Sequence, residues 1–207
     1  MRDPGKERVG IVVGRQAYGD EDLILQVLTG EEGRLSLFLR GGQKRSRGLD
    51  VGVRAKLTVR TRSEGMGTLS AAEVQDARIH LRGSYARLVL MQYACALALE
   101  FVHESHPEPR QFALLETVLL VLDAASSDPG RAFLAAIQLK VLTFGGVAPE
   151  ILRAMPRLER LRQARLVEIL DEPLDGEAEA LVYAAVREHL GRELGARALV
   201  SGIEWPA

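Results

Sequence analysis

The strongest constraint on what this chain can fold into is a change of hydrophobic period near residue 80. Ahead of it, short runs alternate apolar and polar residues between glycine-rich turns at Tyr18–Gly19, Gly30–Gly33, Gly41–Gly42 and Gly65–Gly67. A period of two sends successive side chains to opposite faces of a pleated strand. This half therefore predicts a small all-β barrel or sandwich with strands near 7–16, 22–29, 34–40, 51–62 and 67–76. Beyond the boundary, Leu- and Ala-rich segments repeat with helical spacing and are broken by His106–Pro107, Ser127–Gly130 and Asp171–Pro173. Helices are expected over 83–104, 109–125, 129–145, 156–169 and 175–194, with Asp128 and Asp175 as N-caps and Pro129 at a first helical position. The expected class is α+β, a five-stranded β-barrel domain over 1–80 followed by an all-α domain over 81–207.

Charge divides at the same place. The whole chain has 27 Lys and Arg against 28 Asp and Glu, a net −1 that by itself argues against a uniformly basic nucleic-acid binder. Residues 1–80 carry 14 basic and 11 acidic side chains and residues 81–207 carry 13 and 17, so the neutrality is a cancellation. From Arg34 to Arg62 there are nine basic residues and one acid, Asp50. Parity sorts them: leucines fill the odd positions 35, 37 and 39, while Arg34, Ser36, Phe38 and Arg40 fill the even ones. In the strand that follows, Arg54, Lys56, Arg60 and Arg62 are again even, opposite a mostly apolar odd face. Lys44, Arg45 and Arg47 lie on the flexible loop between the two strands. Such a barrel suits sequence-tolerant binding of single strands, because cations neutralise phosphates while a ring stacks on any base. Phe38 is the stacking candidate; packing beneath a loop is its other reading.

Other chemistries lack their residues. A single cysteine, Cys95 in an apolar helical stretch, supports neither an internal disulfide nor a multi-thiolate metal site, so no metal or cofactor is expected. His103 and His106 are three apart and run into Pro107, which fits a frayed helix end better than a zinc helix with histidines at i and i+4. No phosphate loop or dinucleotide fingerprint occurs, and no enzyme is expected. The first residues lack a signal-peptide core, and the apolar stretches are cut by Glu100, Glu116 and Asp123, so a cytoplasmic protein without a membrane span is expected. Arg153, Arg157, Arg160, Arg162 and Arg165 form a basic run with two readings, a solvated helix face or a dock for an acidic partner or phosphates.

The chain resembles a known family along most of its length. Gly10–Val13, Tyr18–Asp22 and Thr29–Ser36 are similar to the opening strand, the Tyr-Gly-Glu-x-Asp turn and the Gly-Arg-Leu-Ser turn of the bacterial recombination mediator RecO. Arg40–Gly42 with Lys44–Arg47 resembles its basic loop, Leu69–Glu73 its last strand, and Ile137–Glu150 its helix ending Gly-x-x-Pro-Glu. Leu199–Ile203 is a faint echo of its C-terminal motif. The resemblance implies an OB-fold barrel and a helical domain that bind single- and double-stranded DNA and anneal complementary strands. It implies action with RecR to load RecA on single strands covered by SSB, whose acidic C-terminal tail meets the helical domain. Carried over, the DNA contacts fall on Arg34, Arg40, Lys44, Arg45 and Arg47, to which parity adds Phe38, Arg54, Lys56, Arg60 and Arg62. For the SSB tail the candidates are Arg131, Lys140 and Arg153, which flank the matched helix. The chain departs from many members in having a short, cysteine-free insertion near 150–172, so no structural zinc is expected. The competing reading is an adaptor whose barrel binds RNA or a protein.

Overall fold

The structure, a computed structural model, describes residues 5–46, 48–60, 66–147 and 155–206. The chain divides into two compact units, residues 1–78 with 102–113 and residues 79–101 with 114–207.

In the first unit, strands β1 (Lys6–Tyr18), β2 (Asp22–Thr29), β3 (Gly33–Leu39), β4 (Arg54–Arg60) and β5 (Gly67–Asp76) form a closed barrel in the order β1-β2-β3-β5-β4. A one-turn helix, α1 (Gly42–Arg45), follows β3. The alternation expected from parity is present: Val12, Leu25, Val27, Leu37, Leu39, Ala55, Leu57, Val59 and Leu69 fill the interior. Each fully buried side chain of this size stabilises the fold by about 1.5–3 kcal/mol. All neighbouring strands are antiparallel except β3 and β5, which close the barrel through two parallel pairs, Leu37 with Gly67 and Phe38 with Thr68. Gly67 is glycine for want of room: a Cβ there would stand 2.9 Å from Val59 Cγ1 and 3.1 Å from Leu37 Cδ2. Among the described residues, β5 beyond Thr68 pairs with β4 alone.

Residues 102–113 belong to the barrel unit. Glu104 bridges to Arg34, and the Ser105 amide donates to the Arg34 carbonyl at 2.9 Å. Gly33, at φ 72°, lets the His106 backbone approach so closely that a Cβ would lie 1.9 Å from its carbonyl oxygen. This attachment ends the preceding helix early: α2 spans Tyr85–Phe101, short of the expected residue 104.

The second unit contains α2, the rest of α3 (Pro109–Ala124), α4 (Arg131–Phe144), α5 (Pro156–Gln163), α6 (Gly176–Leu190) and α7 (Arg197–Val200). Asp175 caps α6 as expected, accepting from the Ala178 amide at 2.7 Å. Asp128 and Pro129 do not open α4. Gly130 is its N-cap, tied to the Leu170 carbonyl, and Asp128 instead accepts from the Ser84 hydroxyl and pairs with Arg87 at 3.5 Å. The helix expected over 156–169 breaks at Ala164, and Leu166–Ile169 is a 3-10 turn that buries Leu166 and Ile169. Lys140 donates to the Arg162 carbonyl at 2.7 Å, satisfying the helix end where another turn would otherwise continue.

One polar network crosses this helical core. Arg197 holds the carboxylate of buried Glu179 through two bonds of 2.6 and 2.7 Å, and Gln138 donates to Glu179 at 3.1 Å and to Tyr93 at 2.8 Å. Arg197→Ala, which strands a buried carboxylate, should cost about 3–5 kcal/mol, whereas an apolar pair such as Glu179→Leu with Arg197→Met should recover most of it. Urea unfolding of the single and double variants measures both.

Candidate nucleic-acid interface

Strand register separates the expected contact residues. One cross-strand row runs from Arg34 through Leu28 and Ile11 to Arg54, and a second from Phe38 through Thr68 to Arg60. The rows lie four residues apart on β3 and six apart on β4, about 13 and 20 Å at ~3.3 Å per residue. Because β5 stands between β3 and β4, the even-numbered cations share the outside of the barrel without forming one face.

The first row is closed over. Ile11 and Leu28 are 0% exposed, and the Nε atoms of Arg34 and Arg54 are buried. Lys56 is bound to Glu7 at 2.9 Å, and that contact raises its pKa above the ordinary lysine value. Arg8, Arg54 and Lys56 line a groove of about 350 Å³ with Glu7, Glu31 and Glu32, so three cations meet three carboxylates. Phe112, from the returning segment, completes its wall. Glu32 accepts from Arg8 at 2.6 Å and from Lys6 at 3.0 Å. Burial works to raise the Glu32 carboxyl, but these two cations outweigh it and hold the pKa below 4.5.

The second row is open. Arg40, Lys44 and Arg60 are exposed and Phe38 is half-buried. Lys44 pairs with Glu21 at 3.2 Å, both largely in solvent. A pair of that kind is worth at most about 1 kcal/mol and is screened by salt, so it leaves the ammonium accessible to a phosphate. The Phe38 ring meets Tyr18 edge to face, with centroids 5.9 Å apart, and Tyr18 is 57% exposed. Parity could not single out Tyr18, because β1 is exposed at every position from Arg15 to Tyr18. Arg47, Arg62 and Arg153 lie outside the described residues, as does the side chain of Arg45.

In the helical unit, Arg131 and Lys140 do not come together. They are nine residues apart on α4, a rotation of about 180° and a rise of about 13 Å, which puts them on opposite faces. Arg131 stacks over Trp205 at 5.4 Å and lines a groove shared with Arg157 and the carboxylates of Asp171, Glu172 and Asp175. Lys140 is half-buried against the Arg162 carbonyl, and burial with the nearby Arg162 charge lowers its pKa. The arginine run of α5 is engaged within the unit: Arg157 donates to the Pro173 carbonyl, Arg160 to Glu172 at 2.9 Å and Arg162 to Glu159 at 2.9 Å. Among the described residues no three His, Cys, Asp or Glu side chains gather as a metal site, and no helix is long and apolar enough to cross a membrane.

Residues 5–78 match the family described as "Recombination protein O N terminal", and residues 82–154 match "Recombination protein O C terminal". The chain belongs to the RecO family. Among its relatives is the DNA repair protein RecO of Anaeromyxobacter dehalogenans, 29% identical over 94% of this chain and 95% of the relative. That alignment runs over 242 positions, more than the 207 residues here, so this RecO relative has residues the present chain lacks. The RecO proteins of Pelobacter propionicus (32% identical, 61% of this chain, 54% of the relative) and Myxococcus xanthus (27%, 67% and 58%) are also similar. RecO membership gives the chain a role in DNA repair.

The groove beside β1 yields a pH prediction. With its folded-state pKa depressed, Glu32 stabilises the barrel fully above about pH 4.5, and that contribution is lost as pH falls through the lowered value. Glu32→Gln should therefore lower stability at neutral pH and flatten the loss on acidification, as read from urea midpoints across the acid range.

Proposed function

We propose that this protein is a DNA-binding, strand-annealing mediator of recombinational repair, which acts with RecR and SSB to load RecA on single-stranded DNA. The observation that carries the reading is the family match across both halves of the chain, 5–78 and 82–154. The exposed cations beside Phe38 support it, because they offer contacts to phosphates, which position a strand whatever its sequence. Arg40, Lys44 and Arg60, with Arg45, Arg47 and Arg62 nearby in sequence, would hold one strand by its backbone while its bases stay available for pairing. Arg34, Arg54 and Lys56 would then serve the barrel more than the strand, since their side chains are covered or paired.

The helical unit would receive the acidic SSB tail. Arg131 and Lys140 point from opposite faces of α4, so a tail would engage one of them, together with Arg153, rather than all three. The protein would work in the cytoplasm on the nucleoid, on single- and double-stranded DNA alike.

The triple variant Arg40→Ala, Lys44→Ala, Arg60→Ala tests the strand contact. Its affinity for single strands should fall steeply at low salt, and the log–log salt slope should shrink by about 0.7 for each lost phosphate contact. Annealing of complementary oligonucleotides should slow in parallel, with an unchanged melting temperature. Unaltered affinity at low salt would count against this side of the barrel as the binding surface.

A further inference from the structure

We infer that Tyr18 and Phe38 together form a stacking platform that takes unpaired bases and makes this side of the barrel selective for single strands over duplex. The inference rests on the DNA-binding reading above and adds to it a residue, Tyr18, and a strand preference. Tyr18 is the last residue of β1 and is 57% exposed, although it is one of only four tyrosines in the chain and a large aromatic. It meets Phe38 at 5.9 Å and 90°, an edge-to-face contact that favours one orientation of the exposed ring before any ligand arrives. Preorganisation of this kind removes the ordering cost that a free surface tyrosine would pay on binding. Ile24, half-buried and paired with Phe38 across the β2–β3 ladder, widens the apolar floor.

Both signs of charge border the rings. Arg40 follows β3 directly, Lys44 lies on α1, and Arg60 shares the Phe38–Thr68 row at two strand spacings, about 10 Å away. The β1–β2 turn carries exposed Asp20 and Glu21 just after Tyr18, and Glu21 pairs with Lys44 at 3.2 Å, so cations and carboxylates share this edge. A single strand can run its phosphates along the cations and turn its bases onto the rings. A duplex cannot, because its base faces are already stacked against one another. Base–aromatic stacking does not depend on base identity, which suits a surface that must accept any sequence.

Fluorescence anisotropy with the full chain separates the possibilities, using a poly-dT oligonucleotide of about 20 nucleotides and a duplex of the same length. Tyr18→Ala should weaken single-strand binding about tenfold and duplex binding less than about twofold, and Phe38→Leu, which keeps an apolar side chain but removes the ring, should act in the same direction. A 2-aminopurine base in the strand should be quenched by the wild-type chain and less so by Tyr18→Ala. The control is Arg40→Ala with Lys44→Ala. If the control loses affinity while Tyr18→Ala binds single strands normally, the platform is wrong and the cationic reading stands. Equal losses on both DNA forms with Tyr18→Ala would reduce the rings to a structural role and also overturn the inference. If the wild-type chain binds neither form, the underlying reading falls and takes the platform with it.

Discussion

The barrel depends on a seam only two residue pairs long. β3 and β5 meet at Leu37–Gly67 and Phe38–Thr68, and among the described residues no other ladder pair joins these strands. Closure at that point demands a residue without a side chain, which Gly67 supplies, and it turns Phe38 outward because Leu37 is turned in. It also inserts β5 between the two cationic strands. The same hydrogen bonds that enclose the apolar interior thus decide which basic residues can act together.

Environment, more than charge count, distinguishes one arginine from another on this surface. Arg34 and Arg54 belong to a row whose apolar members are fully buried, and Lys56 and Arg8 have carboxylate partners at contact distance. Arg40, Lys44 and Arg60 are exposed, and the pair that Lys44 makes with Glu21 lies largely in solvent. A desolvated, paired cation is stabilised where it is and gains little from a new anion. The division therefore leaves a nearly neutral molecule whose exposed cations are fewer than its charge count suggests.

Much of the fold was legible in the sequence. Period-two alternation identified five strands and assigned the core face correctly, because a half-buried strand has to alternate whatever its neighbours are. Asp175 was legible as a cap since its bond to Ala178 is local. What escaped depends on partners distant in sequence. Asp128 looks like a cap until Ser84 and Arg87 claim it, and the Glu179–Arg197 pair has no local signature. The helix over 156–169 breaks because Lys140, on another helix, caps it. At the candidate site, parity gave the outward set but not strand order, so it could not tell covered cations from open ones. Tyr18 lay where β1 has outrun its inner packing and alternation carries no information.

Residues 102–113 return to the barrel after α2 has already been laid down in the other unit. On a ribosome, the five strands emerge first, yet Gly33 and Arg34 must wait for Glu104, Ser105 and His106, some 70 residues later, before that corner is finished. The barrel would accordingly spend part of its synthesis with its Gly33 corner uncovered, and its maturation is tied to the exit of the first long helix. Gene fragments cut at the change of hydrophobic period would carry every strand and still lack this piece.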